Sequence, residues 1–427
     1  MGRKPVHLMC VESANVNSGT QHNKFYDMME VNGELHVRYG RFPGLDQYKF
    51  GETGTLKIYS IYDWDKLYSQ KTSGAKRYVE EPIPAEVSIE TESEDEDKYK
   101  PIENKEIAKI VKRLQIFAND KINANYKAGT AGVTQEMIDK AQSYIDRLWS
   151  CSDVYDFNRG LEGLFRCIPR KMNDVDNFLA KTVSQFNDIL QREQDLLDVL
   201  KGQIVQPVKG QKVITKTGAK HTILELNGIK MEECTPQDIE EIKKRMGSNA
   251  YRFVNAWRVS NEKQETAYKA YCKSEGLRKR DCKLLWHGTR SENVFSILKT
   301  GLVLRPTNAK ITGKMLGKGL YFAPDFLKSR NYTSARGTTW ASGSDDTGFM
   351  IMHAVAYGNP YNLNSFGQIS YDFEYKDLRK LKDANGNKYH CVHAHKGMDT
   401  GWSSLKADEI VVYKEEQVMP LYLVEIS

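Results

Sequence analysis

Apolar and polar positions alternate in the first 80 residues of the chain. The runs KFYDMMEV, ELHVRYGRF and TLKIYSIY have the period-two pattern of half-buried strands, with turn signals at Asn32-Gly33 and Pro43-Gly44. This pattern predicts a small, mostly antiparallel β domain over residues 1–82. Residues 83–100 show almost no apolar periodicity and include the acidic run ETESEDED, so we expect a solvated linker there.

A helical pattern follows, between residues 101 and 205. Apolar residues from Ile107 to Leu114 recur at spacings of three and four, and a second series follows Thr134, which can cap a helix. A last long helix is predicted to run from Phe178 to Gly202. Amphipathic helices with short connections are typical of an α-helical bundle.

From residue 206 onward, short apolar runs alternate with single helical segments. The sequence TPQD at 235–238 has the N-cap, N1 proline and N3 acid of a helix start. The runs YRFVNAWRV, LLWHG, GLYFA, FMIMHAVAYG, EIVVY and MPLYLVEI favour strands. We therefore predict a multidomain α+β protein with domains at 1–82, 101–205 and 206–427, the last of them a mixed α+β domain.

Composition and charge narrow the class of protein. The net charge of +6 is mild and compatible with nucleic-acid binding. The seven cysteines are odd in number and form no C-x-x-C pair, so we expect reduced thiols rather than disulfides or a zinc finger. The chain has no apolar run long enough for a bilayer and no signal-peptide core at its start, so we expect a soluble intracellular protein without a membrane partner.

Two predicted strands end in residues suited to bind a nucleotide. The triplet His287-Gly288-Thr289 follows the run LLW, and its glycine can offer a bare backbone to a planar amide. Tyr321 lies on the strand after the glycine-rich bend GKG. Each residue alone is also compatible with a purely structural role, since a histidine at a strand end is more often structural than catalytic.

Two further features lie downstream. Ser329 and Tyr332 are three residues apart, on one side of a predicted helical turn. Glu409 begins the buried run EIVVY, where a charge is costly unless it has a partner or a function. All four features together favour a nucleotide pocket over four separate structural explanations.

Other chemical motifs fit less well. The glycines near 313–319 make neither G-x-G-x-x-G nor a P-loop. In the run HCVHAH, strand alternation would place His393 and His395 on one face with Cys391. Since no second ligand pair lies at finger-like spacing, a polar loop at the edge of the cleft is favoured and no metal is expected.

The four features resemble the ADP-ribosyltransferase domain of the poly(ADP-ribose) polymerase family. The family runs LLWHGSR, GKGIYFA, KSxNY and NEYIVY correspond to LLWHGTR, GKGLYFA, KSRNY and DEIVVY, in the family order. The histidine–tyrosine–glutamate triad of the family then falls on His287, Tyr321 and Glu409. The resemblance therefore implies an enzyme that uses NAD+ as a substrate and needs no metal.

The resemblance also implies roles for individual residues. His287 would bind a hydroxyl of the adenine-side ribose, and Gly288 and Ser329 would bind the nicotinamide amide. Glu409 would stabilise the positive charge that develops as the nicotinamide–ribose bond breaks, and a glutamate there implies chain elongation. Lys318 would lie on the acceptor side. The complete set of implied NAD-binding residues is His287, Gly288, Thr289, Asn293, Arg305, Tyr321, Ser329 and Tyr332.

The chain departs from the family at two positions. An arginine expected near the adenine is Val303 here, and Arg305, on the same strand face, is its nearest substitute. The aromatic residue expected before the glycine-rich bend is Lys314. The segment between Gly358 and Glu409 is also shorter than in the best-known members. Product length, branching and acceptor preference therefore stay open.

The two remaining segments resemble domains that accompany this enzyme class. Residues 1–82 resemble a WGR domain, with NKFY at 23–26 and RYGR at 38–41, where a tyrosine replaces tryptophan. Asn23, Arg38, Tyr39 and Arg41 would then bind DNA strand breaks. Residues 101–205 resemble the regulatory helical domain that blocks NAD until DNA is bound, so removing 101–202 should raise basal NAD consumption.

The sequence thus predicts a DNA-break-stimulated poly(ADP-ribose) polymerase that modifies protein acceptors, itself included. An accessory protein that completes the site is compatible with this reading. The alternatives are a mono-ADP-ribosyltransferase, or a DNA-end binding module with a degenerate catalytic domain. We expect the protein in the nucleus, or in the nucleoid or cytoplasm of a prokaryote.

Overall fold

The chain forms two compact units. One contains Met1–Glu92 and Asn119–Gln206, and the other contains Ser93–Ala118 and Pro207–Ser427. This computed structural model describes residues 3–12, 22–44, 47–73, 78–84, 99–126, 133–172, 174–203, 221–304, 315–341, 343–365, 367–370, 372–400 and 404–427. The predicted mixed α+β class with antiparallel sheets is confirmed, whereas the predicted domain boundaries stay predictions.

The first unit contains an antiparallel five-stranded sheet in the order β4-β3-β2-β1-β5. Asn32 and Gly33 both have positive φ between β2 and β3, as a tight hairpin requires. Leu35 and Val37 point into the buried core beneath this sheet, and helix α1 follows β4. The elements are β1 (Val6–Glu12), β2 (His22–Val31), β3 (Glu34–Arg41), β4 (Thr55–Ser60), α1 (Trp64–Thr72) and β5 (Val79–Glu80).

Helices occupy the rest of the first unit. The hydroxyl of Thr134 accepts from the backbone N–H of Met137 and caps α3, as predicted. The last helix is shorter than predicted, because the side-chain oxygen of Gln185 accepts from the backbone N–H groups of Lys181 and Thr182, and α5 begins after that turn. The helices are α2 (Lys105–Asn125), of which only the end belongs to this unit, α3 (Gln135–Leu148), α4 (Val154–Cys167) and α5 (Phe186–Gln203).

The second unit is built on two sheets. The first is antiparallel, in the order β6-β7-β14-β10-β8, and the second has the order β11-β12-β13-β9, with only its β11–β12 pair parallel. The sheets meet where Trp286 and Ala323 exchange backbone hydrogen bonds of 2.9 and 3.1 Å. The strands are β6 (Ile229–Glu233), β7 (Phe253–Asn261), β8 (Lys283–Thr289), β9 (Leu320–Phe322), β10 (Gly348–Val355), β11 (Pro360–Ser365), β12 (Cys391–Asp399), β13 (Glu409–Val412) and β14 (Val418–Ile426).

The run HCVHAH does not form the polar loop that the sequence suggested. Its last five residues belong to β12, which pairs with β11 on one side and β13 on the other. The helices of this unit are α6 (Ile223–Leu226), α7 (Pro236–Met246), α8 (Glu262–Ser274), α9 (Val294–Thr300), α10 (Phe326–Arg330) and α11 (Tyr375–Leu378). Within the described residues, no helix combines the length and the apolar character needed to cross a membrane.

The first half of α2 is part of the core of the second unit. Its apolar face, formed by Ile107, Ile110, Val111 and Leu114, is buried in one cluster with residues of β7, β10 and β14. Arg113 forms a 2.6 Å ion pair with Glu425 and a 2.6 Å hydrogen bond to Thr347. These residues were predicted to belong to the helical segment, but they fold with the C-terminal sheets.

Candidate active site

His287 lies on β8, where the two sheets of the second unit meet. Its Nδ1 is 3.1 Å from the carbonyl oxygen of Tyr321. Because a carbonyl can only accept, Nδ1 must carry the proton. Burial lowers the pKa of His287, so the ring is neutral near pH 7 and its Nε2 offers a lone pair to a hydroxyl donor.

At Gly288, strand β8 and helix α10 approach each other closely. A Cβ at this position would lie 1.7 Å from the carbonyl oxygen of Ser329, so no side chain fits. Trp286 directs its backbone groups to Ala323, and groups two residues apart on a strand point to the same edge. The N–H and C=O of Gly288 therefore point to the edge away from β10, as recognition of a planar amide requires.

Ser329 is buried on α10 and fixed against the same strand. Its Oγ donates to the carbonyl oxygen of Trp286 at 3.1 Å. The side chain of Asp325 accepts from the backbone N–H of Lys328 and caps this short helix. The hydroxyl of Ser329 thus lies beside the free backbone edge of Gly288.

Tyr321 lies on β9, opposite Val411 of β13. Its hydroxyl donates to the carbonyl oxygen of Gly317 at 2.8 Å and accepts from the N–H of Leu316 at 3.1 Å. Burial and the nearby Glu409 raise the pKa of this phenol well above its usual value. Tyr321 therefore stays protonated and fastens the preceding bend, which leaves its ring for contact with a ligand.

Glu409 is the first residue of β13 and is almost fully buried. Lys328 Nζ lies 3.1 Å from its Oε1. Burial raises the pKa of Glu409, and the positive charge of Lys328 opposes that rise. Lys328 therefore favours the ionised form of Glu409 against the effect of burial.

Lys328 is the site residue that the sequence analysis missed. It begins the run KSRNY on α10, and Tyr332 follows just after the end of that helix. Its partner Glu409 is 81 positions away, and only the fold brings the two together.

Tyr332 also lies near the negative charge of Glu409. Burial and the negative charge of Glu409 raise the pKa of its phenol to about 12. Its ring is stacked on Trp340, with ring centres 6.4 Å apart and an angle of 20° between the planes. Tyr332 still exposes a third of its surface, so the ring is available to a ligand.

The proposed adenine side is described in part. Thr289 is buried at the end of β8, and Asn293 ends a 3-10 turn just before α9. The side-chain oxygens of Asn293 and Ser291 are buried and find no hydrogen-bond partner among the described residues. Such oxygens fit the hydroxyls of a ribose. Arg305 lies outside the described residues.

Lys318 lies in the bend before β9. Its Nζ is 3.5 Å from a carboxylate oxygen of Asp372, and its backbone N–H donates to the carbonyl oxygen of Phe373. The structure thus brings His287, Gly288, Tyr321, Ser329, Tyr332 and Glu409 to the junction of β8, β9, β13 and α10, with Lys318 on the adjoining bend.

The four residues predicted to bind DNA lie on β2 and β3 of the first unit. Arg38 donates to the carbonyl oxygen of Gly54 at 3.0 Å, while the ring of Tyr39 packs beside Tyr26. Because side chains alternate along a strand, Tyr39 and Arg41 share one face of β3 and Arg38 lies on the other. Asn23 is on β2, next to the partner of Arg41. The structure thus does not place the ring and both arginines on one face.

Comparisons with known proteins identify the family. The sequence profile of the poly(ADP-ribose) polymerase catalytic domain matches residues 235–427. Poly(ADP-ribose) polymerase 1 of Gallus gallus is 37% identical over 124 residues, which are 29% of this chain and 11% of that protein. The protein mono-ADP-ribosyltransferase PARP3 of Gallus gallus is 32% identical over 183 residues, 41% of this chain and 32% of that protein.

A viral relative is matched over most of its own length. The poly(ADP-ribose) polymerase-like protein 100L of Invertebrate iridescent virus 6 is 31% identical over 172 residues, 40% of this chain and 83% of that protein. The two Gallus gallus proteins, by contrast, are matched over a third of their length or less. This chain therefore belongs to the poly(ADP-ribose) polymerase family of NAD+ ADP-ribosyltransferases.

Proposed function

We propose that this chain is a DNA-break-stimulated poly(ADP-ribose) polymerase of the nucleus. It transfers ADP-ribose from NAD+ to protein acceptors, itself included, extends the chains and releases nicotinamide. The observation that supports this most strongly is the buried Glu409 carboxylate, held beside Lys328 in the site that contains His287 and Tyr321.

The residues present fit NAD+ as the substrate. The Nε2 of His287 and the unpartnered oxygen of Asn293 are acceptors for ribose hydroxyls. The free backbone edge of Gly288, beside the hydroxyl of Ser329, suits the nicotinamide amide. The ring of Tyr332 provides a surface on which the nicotinamide ring can stack.

The chemistry assigned to Glu409 is electrostatic. When the bond between nicotinamide and ribose breaks, its electron pair leaves with nicotinamide and the ribose becomes positively charged. A carboxylate already fixed beside that ribose stabilises the charge without reorganising, a contribution of about 3–4 kcal/mol for one well-placed group. Lys328 serves this step indirectly, because it keeps Glu409 ionised.

Stimulation by DNA rests on the first unit. Its β sheet carries Asn23, Arg38, Tyr39 and Arg41, and Arg41 is exposed on the face of β3 that also carries Tyr39. An exposed arginine beside an aromatic ring can contact a phosphate and a sugar of broken DNA. The helices of the same unit are the candidate brake, meaning the part that inhibits basal activity until DNA is bound.

The test is incubation of the full chain with labelled NAD+, with and without nicked or blunt-ended DNA. We expect long polymer that depends on broken DNA. Glu409→Gln keeps the shape of the side chain but removes its charge, so it should reduce the product to short chains or none, at least a hundredfold less turnover. Full-length polymer from Glu409→Gln would contradict the role of Glu409.

A mono-ADP-ribosyltransferase is the second candidate, because one relative of similar identity carries that name. The same assay separates the two functions by product length. A single ADP-ribose on each acceptor, formed by the wild-type chain with broken DNA present, would establish the second function. Binding of DNA without any release of nicotinamide would exclude both.

A further inference from the structure

A second cluster of polar side chains lies at the β12–β13 junction, outside the residues assigned to NAD+. His393 and His395 lie on the same face of β12, with ring centres 3.9 Å apart. Asp408 immediately precedes β13, and its Oδ2 is 3.0 Å from His393 Nε2 and 3.8 Å from His395 Nδ1. These three donor atoms all lie within 4.8 Å of one another.

In each of the three side chains, the polar atom that faces away from the cluster has a hydrogen-bond partner. The hydroxyl of Tyr357 is 2.7 Å from His393 Nδ1, and Oδ1 of Asn362 is 3.0 Å from His395 Nε2. The backbone N–H of Lys396 donates to Oδ1 of Asp408 at 2.8 Å. The remaining atoms, His393 Nε2, His395 Nδ1 and Asp408 Oδ2, face one another. This arrangement is typical of histidines and carboxylates that bind a metal.

A simple hydrogen-bonded pair explains only part of this geometry. His393 and Asp408 alone would satisfy each other at 3.0 Å. They do not account for the second imidazole, whose Nδ1 also faces Oδ2 of Asp408 while its Nε2 faces Asn362. The carboxylate of Asp408 adds a negative charge to the two imidazoles, which favours a cation.

We propose that His393, His395 and Asp408 bind one divalent transition-metal ion, with zinc as the reference ion. Two imidazoles and one carboxylate suit zinc and its neighbours, whereas magnesium and calcium prefer oxygen ligands alone. Metal–ligand bonds of about 2.0–2.2 Å place tetrahedral ligands about 3.3–3.6 Å apart, between the 3.0 and 3.8 Å observed. His395 is exposed, so the ion can enter from solvent.

The bound ion would join β12 to the start of β13. Ala394 of β12 is opposite Glu409 in this pair, so the ion would sit next to the residue that carries the proposed chemistry. Three protein ligands also leave a coordination position for water. The proposal concerns binding and stands independently of whether the chain makes polymer.

The experiment is a zinc titration of the full-length protein, stripped of metal with a chelator and kept reduced. We expect one zinc ion per chain by calorimetry and a zinc-dependent rise in the melting temperature. His395→Gln and Asp408→Asn should each weaken binding by at least about tenfold. His221→Gln alters an exposed histidine of the same unit, outside the cluster, and should bind zinc like the wild type.

Two further measurements keep the result unambiguous. Tyr357→Phe removes only the group behind His393, so it should keep the stoichiometry while weakening affinity by about tenfold. Substitution with cobalt should give weak visible bands without the strong near-ultraviolet absorption of a cobalt–thiolate bond. Equal zinc affinity in wild type and His395→Gln, or a thiolate absorption band, would show that zinc binds at cysteines and would overturn the proposal.

Discussion

At the scale of single residues, the site is defined by how it controls charge. Glu409 is buried, yet its proposed role requires the ionised form. Lys328, at 3.1 Å, is the positive charge that opposes the effect of burial on its pKa. His287 shows the converse: burial lowers its pKa and leaves a neutral ring that can accept a hydrogen bond.

Replacing Lys328 should therefore change the pH dependence of the reaction. Lys328→Met removes the charge that lowers the pKa of Glu409, so that pKa should rise further. The proposed role of Glu409 requires the carboxylate, so activity should be lost as the pH falls through its pKa. The acidic limb of the profile of kcat/KM against pH should consequently move to higher pH by about one unit or more.

Lys328→Arg is the matched control, because it keeps the charge and should keep the acidic limb near its wild-type position. Nicotinamide release measured from pH 5 to pH 9 provides the profile. An unchanged acidic limb in Lys328→Met would show that Lys328 does not set the ionisation of Glu409.

His353 should make the fold sensitive to acid. It is buried on β10, its Nδ1 has no hydrogen-bond partner among the described residues, and burial lowers its pKa to about 3. The unfolded chain takes up a proton near pH 6.5, whereas the folded chain does not until about pH 3. The free energy of unfolding should therefore fall by about 1.4 kcal/mol per pH unit within this window as the pH decreases.

His353→Leu should remove this sensitivity. We expect a melting temperature equal to or above that of the wild type at pH 7.5, because no unpartnered nitrogen stays buried. The decrease in unfolding free energy between pH 6.5 and pH 5 should be smaller than in the wild type. An identical slope in His353→Leu would refute the assignment.

Residue types were easier to predict than residue pairs. The motifs around His287, Tyr321 and Glu409 could be recognised because each lies within a few consecutive residues. The Lys328–Glu409 pair and the packing of His353 beside His287 depend on which strands become neighbours. Which strands become neighbours depends on pairing between distant segments, and a short stretch of sequence does not reveal it.

At the scale of elements, the contact between β8 and α10 is the critical one. The carbonyl oxygen of Ser329 occupies the place of a side chain at position 288. Moving α10 away from the strand would displace Lys328 and Ser329 together. The geometry of both the amide-binding edge and the carboxylate partner thus depends on a single glycine.

Gly288→Ala should accordingly abolish binding of nicotinamide. Crowding of this kind typically costs about 1–3 kcal/mol, so we expect a lower melting temperature as well. Ser329→Ala is the comparison, since it loses one hydrogen bond to Trp286 but leaves room for the helix, and it should retain weakened binding. Equilibrium dialysis with labelled nicotinamide measures both, and wild-type binding by Gly288→Ala would contradict the close packing.

Elements specified by local chemistry were predicted well. The Asn32-Gly33 hairpin and the Thr134 cap are examples, because a turn or a cap depends on residues close in sequence. The predicted start of the last helix was wrong. Backbone hydrogen bonds to the side chain of Gln185 form a separate turn there, although the apolar spacing suggested a continuous helix. The predicted loop at HCVHAH was also wrong, because pairing with β11 and β13 makes most of this run a strand.

At the scale of the whole molecule, the structure changes how the brake should be tested. Deleting residues 101–202 would also remove the first half of α2 from the core of the second unit. Four buried apolar side chains are worth roughly 6–12 kcal/mol, about the entire stability of a typical domain. Loss of activity in that deletion would therefore say nothing about regulation.

The informative deletion removes the whole first unit, residues 1–92 and 119–206, and joins Ala118 to Pro207 with a short glycine–serine linker. We expect it to unfold cooperatively and to consume NAD+ without broken DNA, at least about tenfold faster than the intact chain without DNA. The 101–202 deletion should instead aggregate or unfold without a transition. Equal basal turnover in the deletion of the first unit and in the intact chain would exclude the first unit as an inhibitor of basal activity.

The place of α2 in that core also bears on how such a protein can be inherited. Sequence similarity is found over residues 235–427, yet the compact unit includes Ser93–Ala118 as well. A gene segment that encodes only the similar part would move by recombination without the helix that covers its sheet.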